Sequence, residues 1–153
     1  MSGVGKTTAL TELGRRGYSA VDTDDGRWIH TVNEPLWREP LIDELLTQPR
    51  HGALFVQGTV ANQGRFYHRF GAVVLLSAPA EVMFERIARR ATNPFGKTSA
   101  QRHQIARDLA EVEPILRAAA THEIVTIGPV AEIADTLVSI ARDQTSMPKP
   151  PSA

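Results

Sequence analysis

The sequence contains no cysteine. That excludes a disulfide framework and any zinc site built on thiolates. It has no surplus of either charge, with 17 Lys and Arg against 17 Asp and Glu. A chain made mainly to coat nucleic acid or an anionic membrane needs a cationic surplus, so neither partner is expected. No apolar run approaches the roughly 20 residues of a membrane span. Aromatics are few, two Trp, two Tyr and five Phe, and they are not interleaved with the scattered basic residues as a nucleic-acid platform requires. His30, His51, His68, His103 and His122 show no metal-ligand spacing and read as surface or loop residues. No internal repeat is present. At 153 residues there is room for one domain with a sizeable core. The expectation is a soluble cytoplasmic monomer or homodimer with a domain over 1–144 and a disordered, proline-rich tail over 145–153.

Against these absences, the first eight residues are dense with signal. Ser2-Gly3-Val4-Gly5-Lys6-Thr7-Thr8 is the back half of the phosphate-binding pattern Gly-x-x-x-x-Gly-Lys-Ser/Thr. Successive backbone N–H groups in such a loop wrap a chain of phosphates, and the following helix points its positive end at them. Gly3, Val4, Gly5 and Lys6 are therefore assigned to the phosphates, with Thr8 toward the inner one. The Thr7 hydroxyl is the expected Mg²⁺ ligand. A glycine-rich arm that binds nothing is the alternative, but it has no need of the helix that follows. Ala9, Leu10 and Leu13 share one side of that helix, and Gly14 to Gly17 end it. The implied ligands are ATP and Mg²⁺.

The first glycine of the pattern would fall one residue before Met1. The buried strand that normally leads into such a loop would also lie there. The expectation is a sheet lacking its central first strand, roughly 5–6 residues, and a chain less stable or less active than a longer form. Five buried apolar side chains at roughly 1.5–3 kcal/mol each equal a whole domain's net stability of about 5–15 kcal/mol.

Four apolar runs remain: Tyr18 to Val21, Ala53 to Val56, Ala72 to Leu76 and Ile124 to Ile127. None alternates cleanly with polar residues, which suits parallel strands covered on both faces. Helical patterns lie between them. Pro35 to Thr47 carries Leu41, Leu45 and Leu46. Pro79 to Arg90 has proline at its start, Glu81 in the first turn and arginines in the last. Ser99 to Ala120 is interrupted by Pro114. Pro129 to Arg142 carries Ile133, Leu137 and Ile140. This alternation predicts a three-layer α/β fold with right-handed crossovers and a ligand beyond the carboxyl ends of the strands.

At those ends stand Asp22 and Asp24, in Val21-Asp22-Thr23-Asp24-Asp25. Two carboxylates so placed can hold Mg²⁺ and orient a hydroxyl. The competing reading is a solvated acidic turn. The third run ends in Gln57, where P-loop motors carry an acid, and the Asn-Lys-x-Asp guanine motif of GTPases is absent. Both absences point to kinases that use Asp-x-Asp after the second strand.

Here the chain resembles the small P-loop kinases of the nucleoside-monophosphate kinase group, shikimate and gluconate kinases included. Gly3-Val4-Gly5-Lys6-Thr7-Thr8 fits their loop, and Val21-Asp22-Thr23-Asp24 is similar to the shikimate-kinase Val-Asp-x-Asp. Glu34-Pro35-Leu36-Trp37-Arg38-Glu39 resembles the stretch whose arginine binds the substrate carboxylate. Gly58 falls in the region of their glycine-rich turn. Ala72 to Leu76, then Ser77 to Glu81 with Arg86, Arg89 and Arg90, is similar to their fourth strand and lid-entry helix. Gly128-Pro129-Val130 looks like their adenine-side loop. Departures are Gln57-Gly58-Thr59 for the triple glycine and Val112 where a substrate-binding arginine would stand.

The resemblance implies a nucleoside-monophosphate-kinase-like fold and transfer of the γ-phosphate of Mg·ATP to a small acceptor bearing a hydroxyl or phosphate. Phosphoryl transfer asks for alignment and cations more than covalent chemistry. Thr7 and Asp22 hold Mg²⁺, and Asp24 accepts or orients the acceptor's hydroxyl proton. Arg38, with Arg65 second, clamps an anionic acceptor, and Gly58 lines its site. Arg86 or Arg90 flanks the adenine beside Pro129, a solvated helix end being the plainer reading of those arginines. Residues 91–104 read as a lid, from which Lys97 or Arg102 swings over the phosphates. Trp28 and Trp37 read as packing under the acceptor-side helices rather than as a stacking platform. The rival functions are an ATP-binding regulatory module without transfer, and an inactive fragment.

Overall fold

A computed structural model describes residues 3–24, 26–91 and 95–146. Of the tail expected over 145–153, residues 145 and 146 instead close the last helix, while 147–153 lie outside the described residues, as do Thr92, Asn93 and Pro94 of the expected lid. The expected α/β class holds. The strands are β1 (Ser19–Asp22), β2 (Ile29–Thr31), β3 (Pro35–Trp37), β4 (Leu54–Gln57), β5 (Val74–Ser77) and β6 (His122–Val125). The helices are α1 (Lys6–Arg15), α2 (Glu39–Thr47), α3 (Ala80–Arg89), α4 (Ser99–Glu111), α5 (Glu113–Ala119) and α6 (Val130–Ser146).

Among the described residues the parallel strands form two pairs rather than one sheet. β1 pairs with β4, Asp22 opposite Gln57, and β5 pairs with β6, Ser77 opposite Val125. The predicted runs sit one to two residues off. The first three strands begin and end later, so Asp22, Gln57 and Ser77 are the last strand residues rather than the first loop residues. The fourth begins earlier, and Ile127 is 67% exposed instead of buried.

One helix is corrected. Pro35 was expected to start it, but Pro35–Trp37 is an antiparallel strand on Ile29–Thr31, and the helix starts at Glu39. Proline tolerates the outer end of a two-stranded ribbon, where its missing N–H costs no ladder bond. The Arg38 N–H extends the ribbon to Trp28 O at 2.7 Å. Pro40 then occupies the first turn of α2, where a proline fits. Pro114 does likewise in α5, so the long predicted helix is two, joined at Val112.

The buried side chains fall into three clusters. Val4, Met83, Ile87 and Ile105 gather under the amino-terminal loop. Trp37, Ile42, Val60 and Phe66 gather beneath β3 and α2. Leu13, Ala134 and Val138 join α1 to α6. Trp37 meets Phe66 edge to face at 5.8 Å and is 4% exposed, so it packs as expected. Trp28 is half-buried with the Arg27 guanidinium 4.5 Å from its ring.

Candidate active site

The loop before α1 is built on two glycines. Gly3 and Gly5 have φ of 82° and 91°, a left-handed backbone that L side chains rarely adopt. At Gly3 a Cβ would also meet Met83 O at 2.9 Å. Gly5 caps α1 without any side-chain bond, and no acid lies in the first turn. The leading N–H groups of α1 are thus left to an incoming anion. Val4, 2% exposed, pins the loop into the core.

Two residues hold the loop in place, Thr126, which sequence reasoning did not assign to the site, and Arg86, which it placed beside the adenine. Thr126, 1% exposed, donates through its hydroxyl to Val4 O at 2.7 Å and receives Arg86 Nη1 at 3.0 Å. Arg86 Nη1 also reaches Gly3 O at 3.3 Å, and Nη2 bonds Thr126 O. Arg86 is therefore not a solvated helix end, because its guanidinium is engaged with the carbonyls of Gly3 and Thr126. A separation of 122 residues between Val4 and Thr126 leaves no local signal for this staple.

The two acids after β1 come to the loop. Asp24 Oδ2 lies 2.8 Å from Lys6 Nζ, and Asp24 Oδ1 accepts from Thr59 N at 2.7 Å. Lys6 also donates to Thr59 Oγ1 at 3.0 Å. Asp24 is thus tied to the lysine while staying exposed to solvent. Asp22 Oδ1 accepts from Asp24 N at 3.0 Å, which fixes the turn. Its Oδ2 accepts from Gln57 Nε2, and the same Nε2 reaches Thr7 Oγ1 at 3.3 Å.

Gln57 is the second residue missed as a site member. Its amide nitrogen sits where two hard oxygens, one hydroxyl and one carboxylate, converge. That donor set suits Mg²⁺, which takes one or two protein oxygens and completes its shell with water and phosphate. Among the described residues no three His, Asp or Glu side chains cluster for a metal, in keeping with so sparse a set. Thr23, fully buried below the turn, donates to Gln57 O at 2.6 Å.

Gly58 is a close-approach position. A Cβ there would meet Thr23 Oγ1 at 2.6 Å and Trp37 Cζ2 at 2.8 Å. Beyond it lies an open cleft of about 720 Å³ lined by His30, Glu34, Trp37, Arg38, Asn62 and Arg65, among others. Arg38 donates through Nε to Ile29 O at 3.1 Å. Arg65 pairs with Glu39 at 2.9 Å. Asn62 ties the cleft wall together, accepting from Trp37 N at 2.9 Å and donating to Trp37 O at 3.1 Å. Arg38 and Arg65 are thus together, in a cleft whose Trp37 wall touches the glycine beside the Lys6–Asp24 pair.

The remaining predicted residues make contacts of their own. Thr8 is exposed on α1. Arg90 donates to Phe95 O at 2.6 Å. Lys97 bonds Ala88 O and Arg90 O, and Arg102 bonds Gly96 O. These three arginine and lysine side chains hold the start of the expected lid together rather than reaching the loop. Pro129 is exposed at the start of α6, its carbonyl accepting from Glu132 N. No helix among the described residues is long and apolar enough to cross a membrane.

A family model described as AAA domain matches residues 1–107. No curated protein matches the chain. No solved structure matches it.

Proposed function

Since the chain belongs to the AAA domain family, which makes it a nucleotide-binding P-loop domain, we propose that it is a small-molecule kinase. It moves the γ-phosphate of Mg·ATP to an acceptor bearing a hydroxyl or phosphate. The observation that carries this reading is the meeting of Lys6 with Asp24 at 2.8 Å. A phosphate-loop lysine and a carboxylate fit to take a proton stand side by side at the strand ends.

The roles follow from placement. The amides of Gly3 to Lys6 and the first turn of α1 receive the phosphates, with Thr8 at the inner one. Lys6 leaves Asp24 for the outer phosphates as nucleotide enters. Asp24, released, orients the acceptor hydroxyl and takes its proton. Thr7 and Asp22 hold Mg²⁺, with Gln57 swinging aside. Bound there, the ion would neutralise charge on the migrating phosphoryl group. Arg38 spends only Nε on the backbone, which leaves its two Nη groups for an anionic acceptor in the cleft. Arg65 lines the same cleft and Gly58 backs its Trp37 wall, and Arg90 and Pro129 border the base. The working unit is a cytoplasmic domain over 1–144 that meets a nucleoside triphosphate and a small acceptor, not nucleic acid or membrane. A central strand between β4 and β5 belongs to the same reading of the fold.

A binding module without transfer is the rival reading. The engagement of Lys97 and Arg102 with nearby carbonyls favours it, because neither cation reaches the loop. ADP release across a panel of small hydroxy acids, sugars and nucleosides separates the two. Acceptor-stimulated release supports a kinase. ATP binding with no stimulation by any acceptor supports the module.

A further inference from the structure

Gln57 ends β4 with its side-chain amide between Thr7 and Asp22. Its Nε2 donates to Thr7 Oγ1 at 3.3 Å and to Asp22 Oδ2. These are the two oxygens assigned to Mg²⁺, so the amide stands in the ion's place. Its two N–H groups are donors only, and they satisfy both oxygens as a cation would. The side chain is 8% exposed, and Oε1 is buried with no hydrogen-bond donor among the described residues. A buried acceptor without a donor is a standing cost. The amide is therefore held from one end only, and moving it forfeits no bond from Oε1.

The backbone behind the amide is fixed. Gln57 lies opposite Asp22 in the β1–β4 register, and its carbonyl accepts from Thr23 N at 3.0 Å and Thr23 Oγ1 at 2.6 Å. Thr23 is fully buried, and Gly58 has no room for a Cβ. A response at this position is thus confined to the side chain. Charge points the same way. The donor set offers one carboxylate, Asp22, and one neutral hydroxyl, because Asp24 is paired with Lys6 at 2.8 Å. Lys6 is also next to Thr7 in the chain and opposes a lone cation. Mg²⁺ sheds water reluctantly, and its hold on a protein depends on the number and charge of the ligands. One carboxylate covered by an amide is a poor trap for a hydrated ion. The phosphates of a nucleotide add anionic oxygens and draw Lys6 away.

We propose that Gln57 is a gate that makes the divalent-ion site conditional on nucleotide. The chain excludes the free hard cation and takes it only in complex with phosphates. The amide covers Thr7 and Asp22 against a lone ion and leaves them when the ion arrives with its phosphates. A carboxylate at this position would instead hold the ion ahead of the nucleotide. The proposal rests on the assignment of Thr7 and Asp22 to the ion, not on transfer to any acceptor.

The test uses the full chain without nucleotide and Mn²⁺ as the probe, its unbound fraction read by electron paramagnetic resonance. The native chain is expected to show no saturable binding below about 1 mM. Gln57→Leu, which removes the amide and adds no charge, is expected to bind Mn²⁺ about two- to tenfold more tightly. Gln57→Glu is expected to bind it at least about tenfold more tightly than the native chain. Adding Asp22→Asn to either variant is expected to cancel the gain. On the native chain, the side-chain N–H signals of Gln57 in heteronuclear spectra are identified by their loss in Gln57→Leu. They are expected to ignore Mg²⁺ alone and to shift with Mg·ATP. Saturable native binding of Mn²⁺ below that concentration, lost in Asp22→Asn, would overturn the proposal. So would an unchanged affinity in Gln57→Leu, which would make charge alone the barrier, or a gain that survives Asp22→Asn. A shift of the Gln57 signals with Mg²⁺ alone, or none once Mg·ATP is bound, would overturn it too. Failure of Mg·ATP to bind counts against the nucleotide reading, and the Mn²⁺ comparison still decides the gate.

Discussion

The Lys6–Asp24 contact makes a specific demand on nucleotide binding. Lys6 must give up Asp24 before it can serve a phosphate. A partly exposed ion pair is worth about 0.2–1 kcal/mol, so Asp24→Asn is expected to tighten Mg·ATP up to about fivefold while depressing transfer. Titration calorimetry with an ADP-release assay reads both. Weaker nucleotide binding in this variant would contradict the assignment. Gly58 poses a steric case. Its Cβ would stand 2.6 Å from Thr23 Oγ1 and 2.8 Å from Trp37 Cζ2, both on buried side chains with little room to shift. Gly58→Ala is expected to lose about 1–3 kcal/mol in urea unfolding. An unchanged midpoint would show that Trp37 yields freely. The glycines of the loop were legible because positive φ restricts residue choice. Gln57 was read only as a missing acid, because an amide that bridges Thr7 and Asp22 has no spacing signature.

At the scale of elements, the β5–β6 pair is fastened to α5 through Glu123. Arg117 donates to its carboxylate at 2.9 Å from both Nε and Nη2, and Ser77 Oγ donates at 2.7 Å. The Arg117 bonds first, then the Ser77 bond, hold its pKa down at about 2, below the usual 4.5. A carboxyl depressed by folding stabilises above its unfolded pKa, and that contribution fades as pH falls from about 4.5 toward about 2. The melting temperature of the native chain is therefore expected to fall over that window more steeply than that of Glu123→Gln. Parallel curves would refute the link. Glu12, bonded to Arg15 and Arg16, is also held at about 2 and contributes to both curves alike. Helix positions were largely legible because prolines and acids mark starts. The β2–β3 ribbon was not, since three-residue strands carry too little periodicity and Pro35 reads equally as a helix start.

For the whole molecule, class and site came from different parts of the sequence. Continuous apolar runs gave the parallel strands, and residues at their ends gave Asp22 and Asp24. The Arg86–Thr126 staple depends on contacts 40 residues apart in the chain, and no local pattern announces it. Arg86→Met is expected to weaken Mg·ATP binding without removing any group assigned to the phosphates, because it loosens Gly3 and Thr126 together. Unaltered affinity would show that the loop holds its shape alone. All the functional assignments rest on the loop being a nucleotide cradle. Calorimetry of Mg·ATP on the full chain and on Lys6→Ala tests that most directly. Saturable heat for the native chain, lost in the variant, is the predicted result. Equal heats from both proteins, or no heat from the native chain with any nucleoside triphosphate, would contradict it.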